Sequence, residues 1–151
     1  MNKNDILIQL SESQNTKFGT EDFAQQSPAQ KVFSAVWWVE SEVNNGGFSQ
    51  YFANDSAESA SFVVEALETI GAPKTAGICG RAIAAAFPDG LPQALESIHL
   101  AAADFSDEIL DKLEPLDREF IAYPHSLTDL LFAYVSERPA EFGTLPKADN
   151  A

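Results

Sequence analysis

Positive charge is scarce in this chain. Against 23 acidic residues it carries 9 basic ones, a net charge of −14 over 151 residues. The deficit is also local. No Lys or Arg occurs between Lys31 and Lys74, and residues 82–117 hold eight acids and one base, Lys112. Such a chain repels nucleic acid and anionic membranes and is drawn to basic surfaces. Direct binding of nucleic acid or membrane is therefore not expected. Solubility is the bland explanation of the same charge. Cysteine is equally scarce: a lone Cys79 cannot close an internal disulfide. Its alanine-rich surroundings read as a buried thiol rather than a nucleophile. The two histidines, His99 and His125, have no second His or Cys at metal-ligand spacing, so no metal or other cofactor is expected.

Long apolar runs are missing as well. None reaches the roughly 18–20 residues that span a bilayer. The N-terminal segment MNKNDILIQLSESQ has no apolar stretch of signal-peptide length, and these features point to the cytoplasm. Enzyme signatures are absent too: no P-loop, no G-x-S-x-G and no calcium-binding loop. Gly77-Ile78-Cys79-Gly80 is too short for a dinucleotide fingerprint. Carboxylates are so numerous that any pair could pass for an acid–base dyad, so no catalytic residue is assigned. A non-enzymatic protein is expected.

What is present is helical spacing. Hydrophobic residues make up 45% of the chain, enough for one sizeable core. No period-2 strand run or internal repeat occurs. The expected fold is all-α, a single compact domain of about seven to nine short helices. Its parts are an N-terminal helix and loop (1–27), a helical core domain (28–142) and a flexible tail (143–151). Helices are expected over 5–10, 28–43, 48–53, 56–70, 74–87, 91–103 and 126–135. A broken pair over 106–113 and 116–123 is expected around Pro115. Ser27-Pro28 supplies an N-cap and first-turn proline. Gly46 or Gly47 supplies the C-cap of the first long helix, whose stripe is Val32, Val36, Val39 and Val43.

Two clusters of polar residues stand out. Glu40 falls inside the apolar sector of its helix, beside Val36 and Phe33. Read structurally, it is a buried carboxylate that joins Asn44, Asn45 and Gln50 around the Gly46-Gly47 turn. Read functionally, it is a general base for a hydrolytic enzyme. The second cluster is Asp104, Asp107, Asp111 and Glu114, spaced 3, 4 and 3 along one helical face, with Glu108 beside them. Ile109, Leu110, Leu113 and Leu116 are the expected buried face. Such a row of carboxylates can imitate part of a row of phosphates, with Glu65 and Glu68 as companions.

The string Trp38-x-Glu40-x-Glu42-Val43-Asn44-Asn45-Gly46-Gly47-Phe48-x-Gln50-Tyr51-Phe52-x-Asn54 resembles the signature of the bacterial DNA-mimic protein family. The resemblance covers about residues 28–142, including Tyr134-Val135 and Pro139-x-x-Phe142. It implies an all-α fold and a protein that occupies the DNA-binding surface of a partner such as a transcription factor. A basic DNA-binding protein is then the expected partner, with a homodimer also possible. The rival is a general interaction or regulatory module whose acidity serves solubility. The string is apolar and turn-forming, so mimicry would fall to Asp104, Asp107, Glu108, Asp111, Glu114, Glu65 and Glu68.

Overall fold

The structure is a computed structural model that describes residues 1–12 and 21–149. Part of the expected loop before Ser27 and the last two residues of the expected tail lie outside the described residues. Among the described residues all regular structure is helical. The eight α-helices are α1 (Lys3–Ser11), α2 (Pro28–Ala53), α3 (Val63–Thr69), α4 (Pro73–Ala86), α5 (Leu95–Ala103), α6 (Asp107–Ile121), α7 (Leu127–Ser136) and α8 (Pro139–Phe142). Short 3₁₀ turns cover Phe23–Gln25 and Asp55–Ser59. None of the described helices is long and apolar enough to cross a membrane.

Helix starts follow local chemistry. Ser27 Oγ accepts from the Gln30 N–H (3.2 Å) while Gln30 Oε1 accepts from the Ser27 N–H (3.0 Å). This reciprocal cap satisfies two otherwise orphaned donors. Ser27 Oγ also donates to Glu141 Oε2, so α8 clamps the start of α2. Asn2, Ser106 and Ser126 cap α1, α6 and α7 in the simpler manner.

α2 is the central element. Val32, Val36, Val39 and Val43 are all buried, as their spacing predicts. So are Phe33, Phe48, Tyr51 and Phe52, and the helix packs against α3, α5, α6 and α7. α3 and α6 each pack against both α2 and α4, which places them at opposite corners of that group of four. α1 buries Ile6, Leu7 and Leu10 and lies against α7. Phe142 is buried in the core, and the chain beyond it returns to the N-terminus, where the Asp149 N–H donates to the Met1 carbonyl.

Three expectations about helices are corrected. Residues 56–70 do not form one helix, because serine side chains compete for the backbone. Ser56 Oγ donates to the Tyr51 carbonyl (3.0 Å) and Ser59 Oγ to the Ser56 carbonyl (2.7 Å), holding a 3₁₀ turn before α3. Pro115 does not break α6, which runs on through it. The ring removes one intrahelical bond, but Pro115 and Asp111 are both exposed, so water can serve the freed carbonyl. α5 starts at Leu95, later than the expected Leu91.

Candidate functional site

The Asn-Gly string makes a sharp corner inside α2. Gly46 (φ −159°, ψ 17°) and Gly47 (φ 77°, ψ −178°) leave helical geometry there. The Gly47 conformation is one that only glycine adopts without strain. A Cβ on Gly47 would also lie 2.4 Å from Asp117 Oδ2. The Phe48 N–H donates to Asp117 Oδ1 at 2.7 Å. The carboxylate thus sits at the N-terminus of the second half of α2, where both the free N–H and the helix dipole favour an anion.

This corrects the expected corner. Glu40 does not gather the Asn-Gly turn; its carboxyl is hydrogen-bonded to the hydroxyl of Tyr123, which in turn accepts from Asn44 Nδ2. Asn44 and Asn45 are exposed rather than buried, and Glu40 and Gln50 are half-buried. Burial pushes the Glu40 carboxyl above the usual carboxylate range, and the Tyr123 bond partly offsets it. Asp117 is also raised, chiefly by burial, with the Phe48 N–H pulling it back and Glu114 pushing it up. Nothing local in the sequence marks Asp117 or Tyr123 for these roles. They arrive from α6 and the turn after it.

The acidic row is altered in a similar way. Asp104 is the C-cap of α5 and is not on α6 at all. Ser106 starts the new helix between them, so Asp107, Asp111 and Glu114 alone share the expected face. All of these acids are exposed, as is Glu108. Two are already paired on their own helix: Glu108 with Lys112 (3.4 Å) and Glu114 with Arg118 (2.8 Å). Asp104, Asp107 and Asp111 have no ion pair among the described residues. Glu65 and Glu68 are exposed on α3, across the group of four helices from α6, so they do not extend the α6 row. On the opposite side of α6, Leu113 and Leu116 are buried, Ile109 is half-buried and Leu110 is exposed, contrary to expectation.

A different acidic region went unread in the sequence. Trp38, Glu42, Asn54, Asp55 and Glu58 line an open recess of about 550 Å³ at the end of α2 and the following 3₁₀ turn. Glu42 Oε2 accepts from Gln50 Nε2 (2.7 Å) and Asn54 Nδ2 (2.9 Å). Both donors lie beyond the Gly46-Gly47 corner, and the bend brings them back to Glu42. Trp38 packs against Phe23, with ring centroids 5.4 Å apart. His99 Nε2 lies 2.9 Å from the Asn54 carbonyl, to which it donates, and 3.7 Å from Asp55.

His125 Nε2 accepts the Lys74 N–H at the start of α4 (3.2 Å). Cys79 is buried, as expected, and burial pushes its thiol up to about 12. Such a thiol holds its proton and packs as a small apolar group. Among the described residues no three His, Cys, Asp or Glu side chains converge as a metal site would require.

Fold and surface define a class: an all-α protein with a kinked central helix and a strongly acidic exterior. A family model described as DMP19-like protein matches residues 24–138, and the chain belongs to that family. This finding corrects the family resemblance drawn from the Trp38–Asn54 string, since the matching family is the DMP19-like one and not the bacterial DNA-mimic family. No curated protein and no solved structure matches the chain.

Proposed function

We propose that this protein is a non-enzymatic acidic interaction protein that occupies the DNA-binding surface of a basic partner and excludes DNA. The observation that supports this reading best is the exposed, uncompensated trio Asp104, Asp107 and Asp111 in a chain of net charge −14. Exposed carboxylates with no paired base, one at the end of α5 and two on α6, can take the place of phosphates against Arg and Lys of a partner. Glu108 and Glu114 contribute less, because Lys112 and Arg118 already share their charge. The cytoplasm is the compartment where such a partner is met.

A second reading draws on those same two pairs. Charges already paired along their own helix are not offered to a partner, as expected of a general interaction module whose acidity serves solubility. One experiment separates the two readings. The immobilised chain is loaded with extract at low salt, and retained proteins are challenged with duplex DNA and with a salt gradient. The variant D104N/D107N/D111N is run beside the parent. Mimicry predicts that DNA releases the partner, that release comes early in the gradient because exposed charges are screened beyond about 8 Å at physiological salt, and that the variant binds at least about tenfold more weakly. Unchanged retention by the variant, or indifference to DNA, leaves solubility as the role of this face.

A further inference from the structure

We propose that the turn over residues 122–126 is a proton-operated latch. With His125 neutral it ties the end of α6 to the start of α4, and a second proton on the imidazole releases it. The turn reaches two helices at once. Tyr123 meets α2, where its hydroxyl joins the Glu40 carboxyl and accepts from Asn44 Nδ2. Two residues on, His125 Nε2 accepts the Lys74 N–H at 3.2 Å. Lys74 is the second residue of α4, so its N–H is one of those that a helix start leaves without an intrahelical partner. Ala72 stands at the N-cap and offers no side-chain acceptor, and Pro73 has no N–H. His125 thus does from 51 positions away what Ser27, Ser106 and Ser126 do locally for their own helices.

A histidine cap differs from a serine cap in one respect. Only a neutral imidazole has a ring nitrogen free to accept; with both nitrogens protonated, each is a donor. The Lys74 N–H would then face another N–H, and a cation would stand at the positive end of the α4 dipole. The charged groups that neighbouring elements bring toward the turn are Lys74 and Arg81 on α4, Arg118 and Glu119 at the end of α6, Glu40 on α2 and Asp129 at the start of α7. Their acids are already engaged: Glu119 by Arg81, Asp129 by Lys3 and Glu40 by Tyr123. Lys74 has no ion pair among the described residues. The backbone is strained at the same place. Tyr123 (φ 52°) is the one non-glycine residue with positive φ among the described residues. Helices commonly end on such a residue, but it is usually glycine, and a bulky side chain there is costly. Release at His125 leaves that strain opposed by the bonds to α2 alone. Ala122 and Pro124 also wall a groove of about 440 Å³ against Lys74, Ile78 and Arg81, so the latch sets the width of that groove.

The test follows the ¹⁵N-labelled full chain by NMR from about pH 8 to about pH 5, the range in which imidazole side chains change charge. Ring-proton shifts of His125 give the midpoint of its own titration. Protection of the Lys74 amide against hydrogen exchange, corrected for the intrinsic rate, is expected to fall about fivefold with that midpoint, the scale of one lost hydrogen bond. The coupling between the Tyr123 amide and α protons, which reports φ, should move with it. H125Q places a neutral oxygen near the position of Nε2, so it keeps the protection at both ends of the range and loses the pH response. H99Q removes the other histidine and E40Q removes the carboxyl bonded to Tyr123; both keep the response. A pH-independent Lys74 amide in the parent, a response that survives in H125Q, or one abolished by H99Q or E40Q would each overturn the proposal. So would a Tyr123 coupling that stays constant while Lys74 loses protection, because the ring would then be a cap and not a latch.

Discussion

Two acidic regions of this molecule make an instructive pair. The α6 row is built by sequence spacing alone: acids recur at helical intervals, and two of them are balanced by bases one turn on. The Trp38 recess is built by the fold. Glu42 meets Gln50 and Asn54 only because α2 bends at Gly46 and Gly47, and it carries its charge unpaired. The first region is an exposed, solvated face. In the second, Glu42 is held in place by the amides of Gln50 and Asn54. The number of carboxylates therefore says less about binding than whether each is already neutralised and already held.

The comparison breaks most sharply at Gly47. Gly47→Ala places a side chain in a conformation only glycine adopts freely and drives its Cβ against Asp117. The expected loss is on the order of 2–4 kcal/mol in chemical denaturation. It should also disperse the Gln50 and Asn54 side-chain amide signals while leaving the α6 ion pairs in place. A variant that unfolds like the parent would mean that the corner does not need glycine and that the recess does not depend on it.

Asp117→Ala attacks the same corner from α6. It strands the Phe48 N–H and removes an anion from a helix start, with an expected cost of about 1–3 kcal/mol. Asp117→Asn keeps an acceptor and should lose distinctly less. If Asn and Ala melt together, the contact between Asp117 and Phe48 contributes nothing and the corner is held by packing alone.

The smallest effect sharpens the comparison from the other side. Lys112→Gln with Arg118→Gln unmasks Glu108 and Glu114. Exposed pairs of this kind are worth about 0.3–0.5 kcal/mol each, so the melting temperature should barely move. Retention of a basic partner at low salt should nevertheless rise, because two charges return to the face. No gain in retention, with the fold intact, would assign the α6 row to solubility.

Much of the fold was legible in advance because its determinants are local. The valine stripe of α2, the Ser27-Pro28 start and the Gly46-Gly47 break each depend on residues within a turn or two of one another. Pro115 was misread because its cost depends on exposure, which spacing does not report. The corner was misread for a related reason. Its acceptor, Asp117, lies 69 positions from Phe48, and Tyr123 lies 79 from Asn44. An acid in a run of acids carries no local sign that it will be half-buried against a backbone N–H. Asp55 and Glu58 were passed over likewise, since only the bend of α2 gathers them with Trp38 and Glu42.

The sequence by itself determined the helical architecture, the central place of α2, the position of its bend, the buried thiol of Cys79 and the excess of negative charge. Those follow from periodicity, capping chemistry, glycine conformation and composition, all of which act over short stretches of chain. Only the tertiary structure decided which carboxylates are spent on holding the fold, which are matched by a neighbouring base and which remain oriented and unpaired. A carboxylate's role depends on the donors that surround it, and in a packed bundle those donors come from chain distant in sequence.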